Sequence, residues 1–349
     1  MKLSQFNFKL PKDQIAQYPV NHRDESKMLV LHRDTGDIEH REFRDLVDYF
    51  SKDDLFVLND TQVFPARLFG HKEKTNAQIE VFLLRELRSE IMLWDVLVDP
   101  ARKIRIGNKL FFGENEDLVA EVIDNTTSRG RTLKFLFDGT HEEFKKVLFD
   151  NGLTPLPSYI KRPAEPEDRE RYQTIYASEE GAVVGPSAGF HFSRELIKRL
   201  TLQDCRFAKL TLHCSRVMYA EIDVDDLGKY KMGTERMIVS KECCDAVNGA
   251  KENGKRICAV GTSTMKALET SLSTDGFIKP YDGWTGMFIY PEYDFGIANS
   301  MISGFHMPYS SLLMMQAAFG KYHNVMNAYK VAIKEGYRFG AYGDAMLII

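Results

Sequence analysis

The hydrophobic pattern of the chain changes twice along its length. Near the N-terminus, a helix-like stretch at residues 43–50 is followed by an apolar run at residues 55–58 that ends at Asn59, Asp60 and Thr61. An apolar run bounded by a polar turn is typical of a buried strand. A strand that follows a helix indicates an α/β arrangement for this first part of the chain.

Residues 67–137 follow a second pattern, in which short apolar segments alternate with glycine-marked turns. The segments lie at residues 79–84, 91–98, 109–112, 118–123 and 132–137, and the glycines are Gly70, Gly107, Gly113, Gly130 and Gly139. Several short strands at such intervals are typical of a small barrel or sandwich.

The first pattern returns after a proline-marked connection at residues 154–166. Its elements are a helix at residues 193–200, a strand at 207–213, and a strand at 256–260 that leads into a helix at 264–272. The β-rich block between the two parts is therefore an insertion. We predict an α/β main domain, formed by residues 1–66 and 152–349, that is interrupted by an inserted small β-barrel domain at residues 67–151.

Composition places the chain among globular proteins. With 349 residues, of which 44% are hydrophobic and 28% charged, it is long enough for two domains with a sizeable core. It contains no apolar run of about 18 residues, the length of a membrane span, and its N-terminus lacks the charged-then-apolar pattern of a signal peptide. We therefore predict a cytoplasmic protein that does not bind a membrane.

Charge and cysteine content narrow the candidate chemistry. A net charge of -4 exerts no general attraction on nucleic acid, so any RNA contact must come from a local patch. The five cysteines are odd in number and lack the paired spacing of a zinc site. We expect them to be buried thiols in a reducing compartment, and we expect no metal.

Two turns of the α/β part combine small residues with hydroxyl groups. The first places Ser187, Gly189 and His191 directly before a helix, whose free backbone amides favour an anionic group. The second follows a strand and opens a helix, where α/β proteins usually bind ligands. Its residues are Gly261, Thr262, Ser263 and Thr264. Taken alone, each turn is equally well explained as a tight loop with a helix cap.

Two further turns each place a histidine after an apolar run, His213 at the end of a strand and His306 shortly before a helix at residues 311–319. Imidazole is the side chain best matched to proton transfer near neutral pH. Together with His191, these histidines suggest a single crevice edge, although each one alone is more simply a hydrogen-bonded core residue. The chain contains no Walker loop, catalytic-triad order or metal motif.

Five segments, in order along the chain, resemble those of a known family. They are residues 58–68 (LNDTQVFPARL), 155–163 (PLPSYIKRP), 171–176 (RYQTIY), 188–192 (AGFHF) and 342–346 (YGDAM). In these segments the chain resembles the S-adenosylmethionine:tRNA ribosyltransferase-isomerases of queuosine biosynthesis, and the resemblance covers essentially the whole chain. It implies an α/β domain interrupted by a small β-barrel.

The resemblance also implies a reaction. The family transfers and isomerises the ribosyl moiety of S-adenosylmethionine onto 7-aminomethyl-7-deazaguanine at the wobble position of tRNA, which gives epoxyqueuosine and releases adenine and methionine. The expected partners are therefore tRNA and S-adenosylmethionine. The latter is a co-substrate, and no cofactor is expected. The oligomeric state is open, with a monomer as the expectation.

The resemblance and the turn chemistry together nominate the site residues. The candidates for proton transfer are His191, His213, His306 and Asp344. The candidates for substrate binding are Asn59, Asp60, Arg67, Tyr172, Gln173, Tyr176, Ser187, Gly189, Gly261, Thr262, Ser263 and Thr264. Within this set, the arginine suits a phosphate group and the tyrosines suit stacking on a base.

Two segments depart from the family pattern. Where the family shows V-G-x-G-T-F, this chain has CSRVMY at residues 214–219, and where the family shows M-H-S-E, it has MGTE at residues 232–235. Two glycines and a histidine are thus replaced in turns that face the ligand. Two alternatives therefore stay open. One is a non-catalytic RNA- or nucleoside-binding protein on the same scaffold, and the other is a transferase that uses S-adenosylmethionine on a different amine.

Overall fold

A computed structural model describes residues 1–349 and contains seventeen strands and seven α-helices. The strands are β1 (Lys27–Leu31), β2 (Ile38–Glu42), β3 (Leu55–Asn59), β4 (Thr61–Val63), β5 (Arg67–Lys72), β6 (Gln78–Arg88), β7 (Leu93–Asp99), β8 (Lys109–Phe112), β9 (Leu118–Asn125), β10 (Gly130–Leu136), β11 (Glu179–Ala182), β12 (Arg206–Leu212), β13 (Glu235–Val239), β14 (Ile257–Val260), β15 (Tyr281–Thr285), β16 (Ser300–Gly304) and β17 (Ala345–Ile348). The helices are α1 (His141–Asn151), α2 (Asp168–Arg171), α3 (Arg194–Leu202), α4 (Lys241–Glu252), α5 (Thr262–Ser271), α6 (Ser311–Phe319) and α7 (Tyr322–Lys334).

Nine strands form the main sheet, in the order β15-β13-β12-β3-β14-β16-β17-β1-β2. Its centre is parallel, because β3 pairs with β12 and β14, and β14 pairs with β16, all in the same direction. Every residue of β3, β14, β16 and β17 is buried. Strands covered on both faces are typically continuous apolar runs, which explains the LFVL and ICAV segments of β3 and β14.

The helices that cover this sheet begin at serine caps. Ser193, Ser240 and Ser310 each accept a hydrogen bond from a backbone amide in the first turn of α3, α4 and α6. Helices α5 and α6 are buried almost all round, as expected for helices in the middle of a large core. The predicted helices near residues 193, 264 and 311 are therefore confirmed, with bounds that shift by one or two residues.

The β-rich block forms a closed barrel of six strands in the order β10-β7-β6-β5-β8-β9. Alternate residues of β7 point inward, so Trp94, Val96 and Val98 are buried and their neighbours are partly exposed. Helix α1 follows β10 in the same compact unit and begins at a Thr140–Glu143 capping box. The predicted fold class, an α/β main domain with an inserted small β-barrel, is confirmed.

The chain divides into two compact units. The first comprises residues 1–62, 157–162 and 170–349, and the second comprises residues 63–156 and 163–169. The main sheet belongs to the first unit and the barrel to the second. No helix is both long enough and apolar enough to cross a membrane.

Candidate active site

A crevice opens in the first unit where the parallel strands β14 and β16 end. It encloses about 580 Å³, including its mouth toward solvent. Strand β14 leads into the turn at Gly261 and β16 into the turn at His306, so two of the predicted turns meet here. Open α/β sheets usually bind ligands outside the carboxyl ends of their strands, which is the position of this crevice.

Gly261 carries the chain from β14 into α5. Its φ of +99° lies in the region that favours glycine, and its N–H donates to Ile302 O over 2.8 Å, which joins this turn to β16. Thr262 and Ser263, the first residues of α5, line the crevice. Amides at the start of a helix have no partner within it, so this end offers a ligand hydrogen-bond donors and the positive end of a dipole.

Two other predicted binding residues stabilise this turn through hydrogen bonds and do not line the crevice. Thr264 is buried, and its Oγ1 donates to Val260 O over 2.8 Å. Asn59 donates from Nδ2 to Leu212 O at 2.9 Å and to Ser263 Oγ at 3.1 Å, and its Oδ1 accepts from the N–H of Leu212 at 3.0 Å. Asn59 therefore ties β3 to β12 and positions the Ser263 hydroxyl.

The glycine-containing turn before α3 forms the 3-10 helix Ser187–His191. Ser187 lines the crevice. Gly189 is so closely packed that a Cβ would lie 2.2 Å from Tyr176 Oη, so only glycine fits there. The turn therefore contributes Gly185, Pro186 and the first two residues of the 3-10 helix, Ser187 and Ala188, to the crevice, while Gly189 packs against the core.

His191 lies in the core. Only 6% of this residue is exposed, its Nδ1 lies 2.7 Å from Ser26 Oγ, and its ring packs on Phe43 with the centroids 5.1 Å apart. Burial lowers the pKa of His191 to about 3, and Arg338 and Arg23 act in the same direction. The imidazole is therefore neutral, and it is not among the residues that line the crevice.

His306 is the one candidate histidine that lines the crevice. Its Nε2 lies 3.0 Å from Ser303 Oγ, and its backbone N–H donates to Tyr329 Oη over 3.0 Å. Tyr329 in turn donates to Gln316 Oε1 over 2.5 Å, so a chain of hydrogen bonds fixes this turn. Burial lowers the pKa of His306 to about 3. The imidazole is thus neutral at neutral pH and has a nitrogen that accepts a proton.

His213 and Asp60 lie together beyond the ends of β12 and β3. His213 Nδ1 lies 2.8 Å from Thr61 Oγ1, and Asp60 Oδ1 accepts a hydrogen bond from Thr211 Oγ1 over 2.7 Å. Burial lowers the pKa of His213 and Arg236 adds to this, while Asp60 acts in the opposite direction. Neither His213 nor Asp60 lines the crevice, so the structure does not place the three histidines on one crevice edge.

Asp344 is held by three hydrogen-bond donors. Its Oδ2 accepts from the N–H of Arg338 at 2.8 Å, and its Oδ1 accepts from Arg338 Nη2 at 3.1 Å and from the N–H of Lys27 at 3.3 Å. Only 2% of the residue is exposed. The carboxylate therefore stabilises the turn whose residues Gly340 and Ala341 line the crevice, and it does not face the crevice itself.

The remaining predicted binding residues do not line the crevice. Tyr172 is fully buried, and burial raises the pKa of both Tyr172 and Tyr176. The carbonyl of Gln173 accepts a hydrogen bond from Arg23 Nη1 at 2.9 Å. Arg67 belongs to the second compact unit. Their predicted roles in substrate binding stay predictions.

The sequence did not single out one wall of the crevice, which Tyr159, Met218 and Tyr219 form. The rings of Tyr159 and Tyr219 are nearly perpendicular with their centroids 6.1 Å apart, and Tyr159 Oη accepts from the N–H of Ala341 over 3.1 Å. Burial raises the pKa of Tyr219, as do Tyr159 and Tyr172, so its phenol stays protonated. The available signal was Tyr159 itself, which lies in the PLPSYIKRP segment.

A buried ion pair was also missed. Lys266 on α5 and Glu235 on β13 lie with Nζ and Oε2 3.0 Å apart, and their side chains are 4% and 1% exposed. The pair lines a second chamber, which shares Thr262 and Ser263 with the crevice. Charged groups buried beside a pocket are frequent at functional sites. No cluster of three or more histidine, cysteine or acidic side chains is arranged to hold a metal ion.

Comparison with known proteins defines the family. Residues 3–348 match the family described as queuosine biosynthesis protein. The chain belongs to this family. It is 63% identical to a protein of Parabacteroides distasonis and 58% identical to one of Flavobacterium psychrophilum, each over 349 residues and 100% of both chains. Both relatives are named S-adenosylmethionine:tRNA ribosyltransferase-isomerase.

A solved structure resembles this queuosine biosynthesis protein over its full length. The crystal structure of S-adenosylmethionine tRNA ribosyltransferase from Thermotoga maritima is 33% identical, covers 99% of this chain and 100% of its own, and superposes with a TM-score of 0.56. The family predicted from the sequence segments is therefore confirmed.

The two segments that depart from the family pattern touch each other in this queuosine biosynthesis protein. A Cβ at Gly233 would lie 2.8 Å from Val217 Cγ2, closer than carbon atoms pack. The valine of one segment thus occupies space that a larger residue at position 233 would need. The two departures therefore fit each other sterically.

Proposed function

We propose that this chain transfers and isomerises the ribosyl moiety of S-adenosylmethionine onto 7-aminomethyl-7-deazaguanine at the wobble position of tRNA. The products are epoxyqueuosine in the tRNA, adenine and methionine. The observation that carries this proposal is a crevice with a histidine and a hydroxyl-bearing helix start, in a chain that matches relatives of this name over its full length. The same match favours this function over a non-catalytic binding protein.

The chemistry of the co-substrate defines what the crevice must do. A sulfonium acidifies the hydrogens on the neighbouring ribose C5′, so a base can remove one of them. Elimination then opens the ribose and expels adenine, after which the substrate amine attacks and an epoxide closes as methionine leaves. S-adenosylmethionine is consumed in this sequence, so it is a co-substrate.

His306 is the proposed proton acceptor. Its ring lines the crevice, its Nε2 lies beside Ser303 Oγ, and Tyr329 Oη holds its backbone N–H. A positioned acceptor of this kind typically contributes a factor of about 10² to 10⁴ in rate. We propose indirect roles for His213, His191 and Asp344. Each is hydrogen-bonded to a residue outside the crevice, namely Thr61, Ser26 and Arg338 respectively.

The start of α5 is the proposed ribose site. Thr262 and Ser263 present two hydroxyls and the free amides of a helix start, and Ser187 adds a third hydroxyl to the same crevice. Tyr159 and Tyr219 supply aromatic surface for a base. All of these residues come from one chain, so a monomer contains a complete crevice. We propose the cytoplasm, where tRNA is modified, as the compartment.

One assay tests the proposal. The protein is incubated with S-adenosylmethionine and tRNA that carries 7-aminomethyl-7-deazaguanine, and released adenine and nucleoside mass are measured together. The proposal requires adenine release and epoxyqueuosine in equal amounts. Adenine release without a change in the nucleoside mass of the tRNA would indicate a different acceptor amine. Absence of adenine release with this tRNA would refute the ribosyl transfer.

A further inference from the structure

The buried pair of Lys266 and Glu235 is not explained by stability. Both charges are almost completely withdrawn from water, with side-chain exposures of 4% and 1%. Moving two charges into a protein interior is costly, and apolar residues of the same volume usually give an equally stable or more stable fold. This pair lines a chamber, and charged groups buried beside a pocket are frequent at ligand sites.

The chamber that the pair lines is unusually rich in thioethers. Four methionines, Met218, Met232, Met287 and Met315, line it together with Phe288 and Ile289. Thioethers are polarizable and flexible, so they adapt to an apolar or sulfur-containing group of varied shape. The space among the lining side chains is about 300 Å³, most of it too narrow for water or open to solvent, so a ligand would enter only as the flexible methionine side chains move.

The two charges have different surroundings. Glu235 Oε1 accepts from the N–H of Ser215 at 2.7 Å, and Oε2 faces Lys266. Besides Glu235, the ammonium of Lys266 contacts Met232 Sδ at 3.7 Å, and a thioether is a weak acceptor. A carboxylate in the chamber would therefore give Lys266 a stronger second acceptor than Met232 Sδ, and an ammonium beside it would give Glu235 a second cation.

The spacing along α5 links this chamber to the proposed ribose site. Thr262 and Ser263 line both the crevice and the chamber. Lys266 follows Thr262 by one turn of the helix, a rise of about 6 Å. In S-adenosylmethionine the sulfonium and two methylenes separate the ribose from the α-carbon, a span of comparable length.

We propose that the Lys266–Glu235 pair and the four methionines form the subsite for the amino-acid end of the co-substrate. Lys266 binds its α-carboxylate, Glu235 binds its α-ammonium, and the methionines surround the methylenes next to its sulfonium. This inference rests on the proposed function, since it assigns one half of the same co-substrate.

A pair of non-reactive nucleosides tests the subsite. S-adenosylhomocysteine carries the amino-acid group, whereas 5′-methylthioadenosine lacks it, and calorimetric titration gives the Kd of each. Because a hydrogen bond to a charged group contributes about 1.5 to 3 kcal/mol, the native protein is expected to bind S-adenosylhomocysteine at least about tenfold more tightly. In the double variant Lys266→Met/Glu235→Gln this ratio is expected to approach one, with the Kd of 5′-methylthioadenosine unchanged.

The double variant is chosen because it leaves no unpaired charge in the core, which a single substitution would do. Lys251→Met is the matched control, since Lys251 also donates two hydrogen bonds, to the partly buried carbonyls of Gly276 and Gly296, but does not line the chamber. It is expected to keep the native ratio. The readout is the ratio of the two Kd values. A general loss of structure would weaken the binding of both nucleosides and leave this ratio unchanged.

The outcomes separate the inference from the function on which it rests. If the native protein binds neither nucleoside, the proposed function fails. If it binds both equally, or if the double variant keeps the native preference, the pair is structural and the inference is overturned while the function stands.

Discussion

At the residue scale, burial decides what each histidine of this protein does. His191 and His306 are both neutral, because water is excluded from their rings and burial lowers the pKa of each to about 3. They differ in what they face. His306 lines a crevice, whereas His191 is hydrogen-bonded to Ser26 and packs on Phe43. The same side chain therefore lines a crevice in one case and packs in the core in the other.

Substitution of His306 by glutamine tests its proposed role. The amide can bond Ser303 but accepts a proton far less readily, so adenine release is expected to fall by a factor of about 10² to 10⁴. The Kd for S-adenosylhomocysteine should change little. His323→Gln, an exposed histidine outside the crevice, is the control and should keep native turnover. Undiminished adenine release from His306→Gln would remove His306 from the mechanism.

His191 is expected to make stability depend on pH. Its native pKa is about 3, while an unfolded histidine titrates near 6.5, so the unfolded state binds more protons between these values. The contribution of His191 to the free energy of unfolding is therefore complete above about pH 6.5. It is lost as the pH decreases toward about 3, and the loss is about 2 kcal/mol at pH 5. Urea unfolding at pH 7 and 5 measures it. Because asparagine does not titrate, the decrease in the free energy of unfolding between pH 7 and 5 should be about 2 kcal/mol smaller in His191→Asn than in the native protein. If both proteins show the same pH dependence, His191 is not its source.

At the element scale, one short segment shapes the crevice. The 3-10 helix Arg216–Tyr219 begins at Ser215, whose hydroxyl accepts from the N–H of Val217 and whose own N–H donates to Glu235. It directs Met218 and Tyr219 to the crevice and leaves Val217 against Gly233. The segment thus packs against β13, through Glu235, and against the residues that precede β13, through Gly233.

A double-mutant cycle tests this fit. Gly233→His is expected to destabilise the protein by about 1 to 3 kcal/mol, because the new side chain meets Val217. Val217→Gly should recover part of this loss in the double variant, with a coupling energy of about 1 kcal/mol or more. Unfolding in urea gives the four values. Gly249→Ala, at a glycine with open space around it, is the control and should not destabilise. Strict additivity would show that the two segments are independent.

At the scale of the whole molecule, every residue of the crevice and of the chamber belongs to the first compact unit. Ligand binding should therefore protect that unit. With S-adenosylhomocysteine at about 100 times its Kd, the bound state gains about 2.7 kcal/mol. Hydrogen exchange should show slower exchange in residues 185–191, 261–266 and 303–307, and no change in the barrel. Protection in the barrel and not in the crevice would place the nucleoside site elsewhere.

Local patterns predicted much of the fold, because the buried strands are continuous apolar runs and the barrel strands alternate. The same patterns predicted that the turns at Gly261 and His306 carry chemistry, and both line the crevice. They failed for Lys266, Glu235 and Tyr219. These residues carry no local mark of function, because the neighbouring sequence does not show that a charged residue is buried or that a tyrosine borders a crevice.

The sequence by itself determined the family, the two kinds of domain and two of the turns that form the crevice, since each of these depends on neighbouring residues. The tertiary structure alone decided which histidine faces the crevice and which charges meet in its depth. His191 and His306 end similar segments, and Glu235 and Lys266 are 31 residues apart in the chain. Sheet order and burial, which are set by contacts across the whole fold, bring one histidine to the crevice and one ion pair to the adjoining chamber, and leave the other groups in the scaffold.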